Sequence, residues 1–594
     1  MRAKGFERLT KITYMKKTIL LTFATLLSVA MTAQNERRLD GMKDVNGVRD
    51  VTLDSLAKAN QVRPVSGSTR KGNNPVLFLV GNSTMRCGTL GNGNNGQWGW
   101  GYYAREFYDE NKITVENHAL GGTSPRTFYR MLWPAVLSGI RKGDYVILEL
   151  GHNDNGPLDS GRARASYKGN DGQSPLSDDS ITVTVKETGK TETVYTFGGY
   201  TRRFINEIRA KGATPILFTL TPRNDYEPDD TTRIQRKLTT FTPWIKALGK
   251  ELNVPVIDLN DISALKLERY GKWKTNYHFF IDKIHSSEFG AKMNAASAAE
   301  GIAASNDPQL AELKSYIIDE KINPKPIAGS EGKDEVDKDG KKKRKPRVFL
   351  TGDSTVKNND NDENGMWGWG SQAYTVFDST KCVVLNAAKA GRSTRTFLYE
   401  NRWDQVYNSI QPGDYVLIQF GHNDTGHIDS QKERAVIATA KDTCHVYKLA
   451  SNGQYKVIYS FGWYLKKFIQ DVREKGGTPI LLSLTPRNRW HEGKGETVGT
   501  LYPVKEKAGK QYIERRNDNS YGMWYRQVAE ETGVTFVDVH NISADALQKM
   551  GKEKAAAMYN RDHTHTSLAG ARLNAKSVAK GLKKAKSPLA ELLK

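Results

Sequence analysis

A twelve-residue stretch that occurs twice constrains the fold of this chain more than any other feature. It reads GDYVILELGHND at 143–154 and GDYVLIQFGHND at 413–424. In each copy an apolar run typical of a buried strand ends abruptly in Gly-His-Asn-Asp. Open parallel α/β sheets place their ligand crevices just beyond the carboxyl ends of their strands. The repeat therefore predicts two α/β units, each with polar chemistry at the end of this strand.

The spacing of the repeat predicts the domain organisation. The offset is 413 − 143 = 270 residues, far longer than the roughly 20–50 residues of solenoid repeats, so whole domains are duplicated. A chain of 594 residues also exceeds one ordinary core. We expect a first domain at 75–305 and a second at 346–594. Residues 306–345 have the composition of a solvated linker, and polyanion binding by the basic cluster at 341–345 is the weaker alternative.

The N-terminus has the layout of a secretory signal peptide. Basic residues precede an apolar run from Thr18 to Ala30, followed by small residues through Ala33. The run is shorter than the ~20 residues of a spanning helix, so a membrane anchor is the weaker interpretation. We expect a signal peptide at 1–33, with Met15 as an alternative start, a polar lead-in at 34–74, and a secreted or periplasmic protein.

Charge and cysteine content restrict the partners. Lys and Arg exceed Asp and Glu by 88 − 66 = 22, which favours acidic partners. Without a nucleic-acid-binding motif, an anionic polysaccharide or an acidic envelope surface is the better expectation and nucleic acid the last, while the plainest alternative is that the charge serves solubility alone. The three cysteines, Cys87, Cys382 and Cys444, lie in dissimilar contexts and predict neither a disulfide framework nor a metal site.

Further paired motifs follow the same order in both halves. A short β-rich run ends in Gly-Asn-Ser-Thr at 81–84 and in Gly-Asp-Ser-Thr at 352–355. Trp-Gly-Trp-Gly follows at 98–101 and 367–370, for packing or for sugar stacking. Insertions after Gly-His-Asn-Asp carry hairpin signals at 181–195 and 445–459. Alternating helices and strands then predict a mostly parallel sheet covered on both faces.

Each half contains the parts that ester hydrolysis requires. A serine follows the first strand, a glycine lies in a loop, an asparagine follows a middle strand, and Asp-x-x-His comes near the end. An imidazole activates the serine hydroxyl, and a carboxylate holds the imidazole in one tautomer. Backbone N–H groups and an asparagine amide can stabilise the oxyanion. Each motif alone is weak, but all four recur in order.

With these motifs the sequence resembles the SGNH (GDSL-like) hydrolases, within them the rhamnogalacturonan acetylesterase-like branch. The resemblance implies tandem flavodoxin-like α/β/α domains, no cofactor, and removal of acetyl groups from pectic polysaccharide through an acyl-enzyme. It assigns catalytic roles to Ser83, Asp282, His285, Ser354, Asp562 and His565. It assigns the oxyanion holes to Gly122, Asn153, Gly391 and Asn423.

One position departs from the family pattern. Asp353 precedes the second serine, but Asn82 precedes the first. Because Asn82 lacks the charge, we expect the second site to be faster on a small acetyl ester. Arg223 and Arg487 follow equivalent strands and are expected to contact uronate carboxylates, although pairing with a nearby acid is an equal alternative. Two other functions stay open: a lipase- or thioesterase-type acyl hydrolase, and a non-catalytic glycan-binding protein.

Overall fold

A computed structural model describes residues 63–88, 91–93, 96–169, 175–236, 241–331, 335–336, 342–357, 365–449, 451–452, 454–499, 503–514 and 520–594. The predicted signal peptide and the lead-in before residue 63 lie outside these residues. The chain divides into two units, 1–323 with 453–457 and 324–452 with 458–594. Within the described residues, every helix is too short or too polar to cross a bilayer.

Five parallel strands form the central sheet of the first unit. They are β1 (Val76–Gly81), β2 (Thr114–Asn117), β3 (Tyr145–Glu149), β4 (Thr214–Phe218) and β5 (Val256–Ile257). Their order across the sheet is β2-β1-β3-β4-β5, and every neighbouring pair is parallel. This is the flavodoxin-like strand order, so the predicted fold class is confirmed.

Helices cover both faces of this sheet. They are α1 (Pro125–Met131), α2 (Trp133–Gly139), α3 (Phe197–Ala210), α4 (Phe241–Leu252), α5 (Leu259–Lys274) and α6 (Glu288–Ala304). Alternate residues of β1 point to opposite faces, as the period of a strand requires. Leu77 and Leu79 pack in one core with the alanine-rich face of α6, whereas Phe78 packs in the other with α1 and α3. The unit therefore has three layers.

The second unit repeats this architecture. Its strands are β6 (Arg347–Gly352), β7 (Val383–Asn386), β8 (Tyr415–Gln419), β9 (Thr478–Leu482) and β10 (Thr535–Val537), in the order β7-β6-β8-β9-β10 with parallel pairs. Its main helices are α7 (Thr394–Tyr399), α8 (Arg402–Ser409), α9 (Phe461–Glu474), α10 (Tyr521–Thr532), α11 (Val539–Met550) and α12 (Leu568–Lys584). Both insertions form the predicted hairpins, at Ser180–Thr184 with Thr191–Tyr195 and at Cys444–Lys448 with Tyr455–Tyr459.

Shorter elements complete the described chain. The short helices are Trp100–Tyr103, Ala104–Phe107, Thr275–Phe279, Pro308–Leu310, Ala311–Ser315, Asp319–Ile322, Trp369–Thr375, Lys552–Ala556 and Pro588–Leu592. The short strands pair as Glu335–Val336 with Lys342–Lys343, Trp490–Glu492 with Gln511–Ile513, and Thr497–Val498 with Val504–Lys505.

The segments that precede each sheet are more ordered than their composition suggests. The predicted lead-in contributes Arg70, whose guanidinium binds both carboxylate oxygens of Asp144 at 2.7 Å. In the second unit Arg344, from the predicted linker, binds both oxygens of Asp414 at 2.6 and 2.8 Å. Each aspartate also accepts a backbone N–H at the start of the first strand, at Val76 and Arg347. A bidentate ion pair thus fixes where each sheet begins.

The start of the predicted linker also packs against a core. Leu310 and Leu313 are fully buried in the first unit, in the cluster that contains α6. Farther along, the backbone N–H of Ile327 donates to Ser409 Oγ in the second unit at 2.8 Å. The apolar residues of 306–323, spaced three apart, therefore form a helical extension of the first unit instead of a solvated chain.

Candidate active sites

The first serine lies in a tight turn at the carboxyl end of β1. Asn82, which precedes Ser83, is fully buried, and its Oδ1 accepts hydrogen bonds from the backbone N–H and the hydroxyl of Thr84, both at 3.1 Å. Asp353 makes the same two bonds with Thr355, at 2.9 and 2.8 Å. Each turn is therefore closed by the residue before its serine, in the manner of an Asx-turn.

The Trp-Gly-Trp-Gly motifs pack beneath these turns. A Cβ on Gly99 would lie 2.2 Å from the backbone of Met85, and one on Gly368 would lie 2.2 Å from the backbone of Lys357, so neither site accepts a side chain. Trp98, Trp100 and Trp369 are buried. Packing, the interpretation preferred from the sequence for most of these tryptophans, therefore holds for these three.

The first Asp-x-x-His element reaches this serine. His285 Nε2 lies 2.9 Å from Ser83 Oγ, and His285 Nδ1 lies 2.7 Å from Asp282 Oδ2. The other oxygen, Asp282 Oδ1, accepts the backbone N–H groups of Ile284 and His285, each at 2.7 Å. The carboxylate thus fixes the loop and the imidazole together. Trp98 N–H donates to Ser286 O at 3.1 Å and Ser286 Oγ donates to Trp98 O at 2.7 Å, which ties the loop to the layer beneath the turn.

The second unit has the same arrangement. His565 Nε2 lies 2.8 Å from Ser354 Oγ, and His565 Nδ1 lies 2.6 Å from Asp562 Oδ2. Asp562 Oδ1 accepts the backbone N–H groups of Thr564 and His565, each at 2.7 Å. The structure therefore brings together all three predicted residues in each half.

The charge state of the aspartates fixes the imidazole tautomers. Partial burial acts to raise the pKa of Asp282, but hydrogen bonds from His285 outweigh it and lower the pKa to about 2. Burial is likewise outweighed at Asp562, where backbone and side-chain bonds from His565 lower the pKa to about 2. An ionised carboxylate only accepts, so Nδ1 carries the proton and Nε2 is left to accept from the serine hydroxyl.

The predicted oxyanion-hole residues lie beside the serine turn. Gly122 and Gly391 have positive φ angles of 80° and 74°, a conformation that favours glycine. The preceding loops are tied to the end of the first strand: Leu120 N–H donates to Gly81 O at 3.2 Å, and Lys389 N–H donates to Gly352 O at 3.0 Å. A Cβ on Gly121 would contact the Ser83 side chain at 3.6 Å.

The two asparagines are oriented by arginines that the sequence analysis did not identify. Arg164 Nη1 donates to Asn153 Oδ1 at 3.0 Å, and Arg434 Nη1 donates to Asn423 Oδ1 at 3.3 Å. With the oxygen held, each amide NH₂ points to the glycine loop, where it donates to Thr123 O at 3.2 Å or to Arg392 O at 3.3 Å. A sequence signal for these arginines exists: Arg-Ala occurs at 164–165 and again 270 residues later at 434–435, inside insertions that are otherwise dissimilar.

Buried arginines hold these insertions in place. Arg126 Nη1 donates to Ala165 O at 3.1 Å, next to Arg164. Arg395 Nη1 donates to Ala435 O at 3.2 Å, next to Arg434. Both come from the Arg-Thr-Phe segment that follows each loop glycine. The oxyanion-hole segment and the insertion are thus connected through one guanidinium in each unit.

Arg223 and Arg487 lie next to the Asp-x-x-His loops. The residue after each arginine donates its backbone N–H into that loop, Asn224 to Lys283 O at 2.9 Å and Asn488 to His563 O at 2.6 Å. Burial, and second the charge of Arg487, lower the pKa of His422 to about 3. Among the residues that the structure describes, neither guanidinium forms a hydrogen bond or ion pair, although Glu514 Oε2 accepts the backbone N–H of Arg487 at 3.1 Å.

Two remaining predictions concern metal and cysteine. The described ranges contain no group of three or more His, Cys, Asp or Glu side chains placed to hold a metal ion. Cys87, Cys382 and Cys444 all fall in described ranges, are buried and form no disulfide.

Comparison with known proteins matches one family model to each unit. The model of the GDSL-like Lipase/Acylhydrolase family matches at 79–293 and again at 350–573. The rhamnogalacturonan acetylesterase of Emericella nidulans is 27% identical over 237 residues, 40% of this chain and 84% of the relative. The rhamnogalacturonan acetylesterase RhgT of Bacillus subtilis is 30% identical over 266 residues, 42% of this chain and 95% of the relative. Among solved structures, the acetylxylan esterase Axe2 of Geobacillus stearothermophilus is 19% identical, with 39% of this chain and 94% of that chain covered at a TM-score of 0.27.

Proposed function

Because the chain belongs to the GDSL-like lipase/acylhydrolase family, we propose that it removes O-acetyl groups from a plant cell-wall polysaccharide at two catalytic sites. The chain is a serine esterase. The observation that carries the proposal is the hydrogen-bonded series from serine to histidine to aspartate, which occurs in both units with distances of 2.6 to 2.9 Å.

In the first step the serine oxygen attacks the acetyl carbonyl carbon. His285 Nε2 takes the proton of Ser83 as the new C–O bond forms, and Asp282 stabilises the resulting imidazolium. The carbonyl π electrons move to the oxygen. That oxyanion is stabilised by the backbone N–H groups of Ser83 and Gly122 and by the side-chain NH₂ of Asn153. Ser354, His565, Asp562, Gly391 and Asn423 have the same roles in the second unit.

Collapse of this intermediate frees the sugar. The bond from carbonyl carbon to sugar oxygen breaks, and the histidine returns its proton to that oxygen, which leaves an acetyl-serine. Water then attacks the acetyl carbon while the histidine takes a proton from it. Breakage of the bond to the serine releases acetate, and the histidine reprotonates the serine. Both half-reactions use one base and one oxyanion hole, and the atoms balance without a cofactor.

For the substrate we propose acetylated pectic rhamnogalacturonan. We propose that the protein is secreted or periplasmic and encounters this polymer there. The relatives named rhamnogalacturonan acetylesterases support this choice. So does the formal charge of +22 at neutral pH, which would attract a polymer that carries uronate groups. Arg223 and Arg487 are the residues that we propose bind its carboxylates, since the residue after each arginine donates its backbone N–H to the Asp-x-x-His loop.

Acetate release from a panel of acetylated polymers tests this function. We expect faster release from acetylated rhamnogalacturonan than from acetylated xylan or mannan, and none from the double variant Ser83→Ala/Ser354→Ala. Nitrophenyl esters of increasing chain length separate the lipase or thioesterase alternative, which requires a preference for long acyl chains. Binding to pectin without release of acetate from any polymer would instead support a glycan-binding protein.

A further inference from the structure

Each unit contains a buried carboxylic side chain beside its serine turn, but the two units place it on different elements. In the second unit it is Asp353, within the turn, and the neighbouring strand ends in Gln419. In the first unit the turn carries Asn82, and the neighbouring strand ends in Glu149. All four side chains are 0% exposed. Acid and amide have therefore exchanged positions between the copies.

The two positions are neighbours in space. The last residue of β1, Gly81, pairs with Glu149 across the sheet, and Gly352 of β6 pairs with Gln419 in the same register. In the first unit the Thr84 hydroxyl, which has one hydrogen to donate, lies within reach of both: its Oγ1 is 3.1 Å from Asn82 Oδ1 and 3.3 Å from Glu149 Oε1. Thr84 directly follows the serine. An acid at either position can thus accept from the residue next to the nucleophile.

Glu149 also holds the layers around the turn. Its Oε2 accepts the indole N–H of Trp100 at 2.7 Å, and its Oε1 accepts the backbone N–H of Thr221 at 3.0 Å. Gln419 also connects these layers, but through a neutral amide. Its Oε1 accepts from Trp369 Nε1 at 2.7 Å, and its Nε2 donates to Ser483 O at 2.6 Å. The indole bond is common to both units. The contact with the serine turn is what distinguishes the glutamate.

We propose that each serine turn requires one buried carboxylate as a hydrogen-bond acceptor for the threonine after the nucleophile, and that Glu149 supplies it in the first unit where Asp353 does in the second. Glu149 is then a positioning residue of the first site, because it acts through Thr84 and touches no reacting atom. A second acid is unfavourable, since two buried carboxylates that share one hydroxyl repel each other. This inference rests on the proposed esterase activity of Ser83.

The decisive experiment exchanges the two groups. In a Ser354→Ala background only the first site turns over. There, at pH 8, where Glu149 is mostly ionised, Glu149→Gln should lower kcat on nitrophenyl acetate about tenfold, the effect of one lost hydrogen bond to a charged acceptor, with KM changed less than twofold. Asn82→Asp alone should also lower kcat and the unfolding temperature. The pair Asn82→Asp/Glu149→Gln should recover kcat to within about threefold of the background.

The mirror exchange in the second unit and a matched control complete the test. In a Ser83→Ala background, Asp353→Asn should lower kcat and Asp353→Asn/Gln419→Glu should recover it. Glu116→Gln, which removes another fully buried carboxylate side chain of the first unit that contacts the N–H groups of Gly67 and Thr69, should change stability but leave kcat within twofold. Losses in Glu149→Gln and Asn82→Asp that simply add in the pair would overturn the inference.

Unfolding temperatures make this outcome independent of activity. If an aspartate at position 82 and Glu149 repel each other beside Thr84, Asn82→Asp should lower the unfolding temperature less in the Glu149→Gln variant than in the chain that keeps Glu149. Equal destabilisation in both backgrounds would contradict the inference even in a protein that turns over no ester. Loss of all turnover in the Ser354→Ala background would instead contradict the proposed function of Ser83, so the two failures are distinguishable.

Discussion

The two units share the geometry of their sites and differ in the electrostatics around them. The bonds from serine to histidine agree within 0.1 Å, at 2.9 and 2.8 Å, and so do those from histidine to aspartate, at 2.7 and 2.6 Å. The aspartate side chain is 28% exposed in the first unit and 43% in the second. The buried acid lies on the strand in one unit and in the turn in the other. The two units thus share their serine–histidine and histidine–aspartate distances but hold the buried acid beside the serine turn at different positions.

The largest expected effect is loss of a nucleophile. Ser83→Ala and Ser354→Ala should each abolish turnover in their own unit and leave the other working, and the double variant should fall by at least about 10³-fold. Steady-state rates on nitrophenyl acetate measure this. Because Glu149 replaces the acid missing at Asn82, we now expect the units to agree within about tenfold, with the second unit still the faster. A fully inert single variant would show that the sites depend on each other.

Loss of an orienting arginine should have the next largest effect, and it should be equal in the two units. Arg164→Ala in the Ser354→Ala background, and Arg434→Ala in the Ser83→Ala background, should each lower kcat about tenfold because the asparagine amide is free to rotate. KM should change little. Arg162→Ala, at an exposed residue two positions earlier, is the matched control and should be silent. A loss confined to KM would assign these arginines to substrate binding.

A smaller effect is expected for the arginines beside the catalytic loops. Arg223→Ala and Arg487→Ala should raise KM severalfold for a uronate-containing polymer, because a charged contact is lost, and leave KM for nitrophenyl acetate unchanged. Saturation curves with the two substrates, each in the background that silences the other unit, measure the difference. Equal losses on both substrates would favour a structural role. An effect in only one unit would show that the copies have diverged in substrate binding.

The smallest effect concerns pH and stability. Burial raises the pKa of Glu149 to about 7, and His152 Nε2 lies 3.9 Å from Glu149 Oε1. Because the pKa of Glu149 is higher in the folded chain than its ordinary value of 4.5, the folded state holds the proton more tightly. The contribution of Glu149 to the free energy of unfolding is therefore complete below pH 4.5 and is lost as the pH rises through 7. A glutamine at position 149 cannot titrate. The free energy of unfolding of Glu149→Gln should therefore rise relative to that of wild type between pH 5 and pH 8, by at most a few kcal/mol. Gln419→Glu should introduce the same pH dependence.

Thermal unfolding of wild type and both variants at pH 5 and pH 8 checks this expectation. If the unfolding temperatures of Glu149→Gln and wild type differ by the same amount at pH 5 and at pH 8, the raised pKa of Glu149 is contradicted.

Much of the fold could be predicted because its signals are local. The apolar runs ending in Gly-x-Ser and in Gly-His-Asn-Asp predict strand ends, and one loop holds the Asp-x-x-His contact, so the sequence could predict which serine, histidine and aspartate lie together in each unit. The edge strand β2 was missed because its Glu116 is polar yet 1% exposed, where it accepts N–H groups from a segment 47 residues away. The ion pair between Arg70 and Asp144 spans 74 residues and leaves no periodic signal.

The residues that tune the sites were harder to predict. Glu149 and Gln419 stand at the same position of the repeat, within apolar runs. The exchange is visible in the two lines of sequence, but its meaning depends on burial and on the shared hydroxyl of Thr84, which only the fold brings together. Arg164 likewise lies in an insertion whose two copies have little else in common.

The central claim is that the chain carries two complete and independent nucleophiles. Intact-mass measurement after reaction with a serine-directed organophosphate tests it most directly, because the reagent bonds only to a serine activated by its own histidine. The account predicts two adducts per wild-type chain, one in Ser83→Ala, one in Ser354→Ala, and none in the double variant. A single adduct on the wild-type chain, lost entirely in one of the two single variants and unaffected in the other, would contradict it.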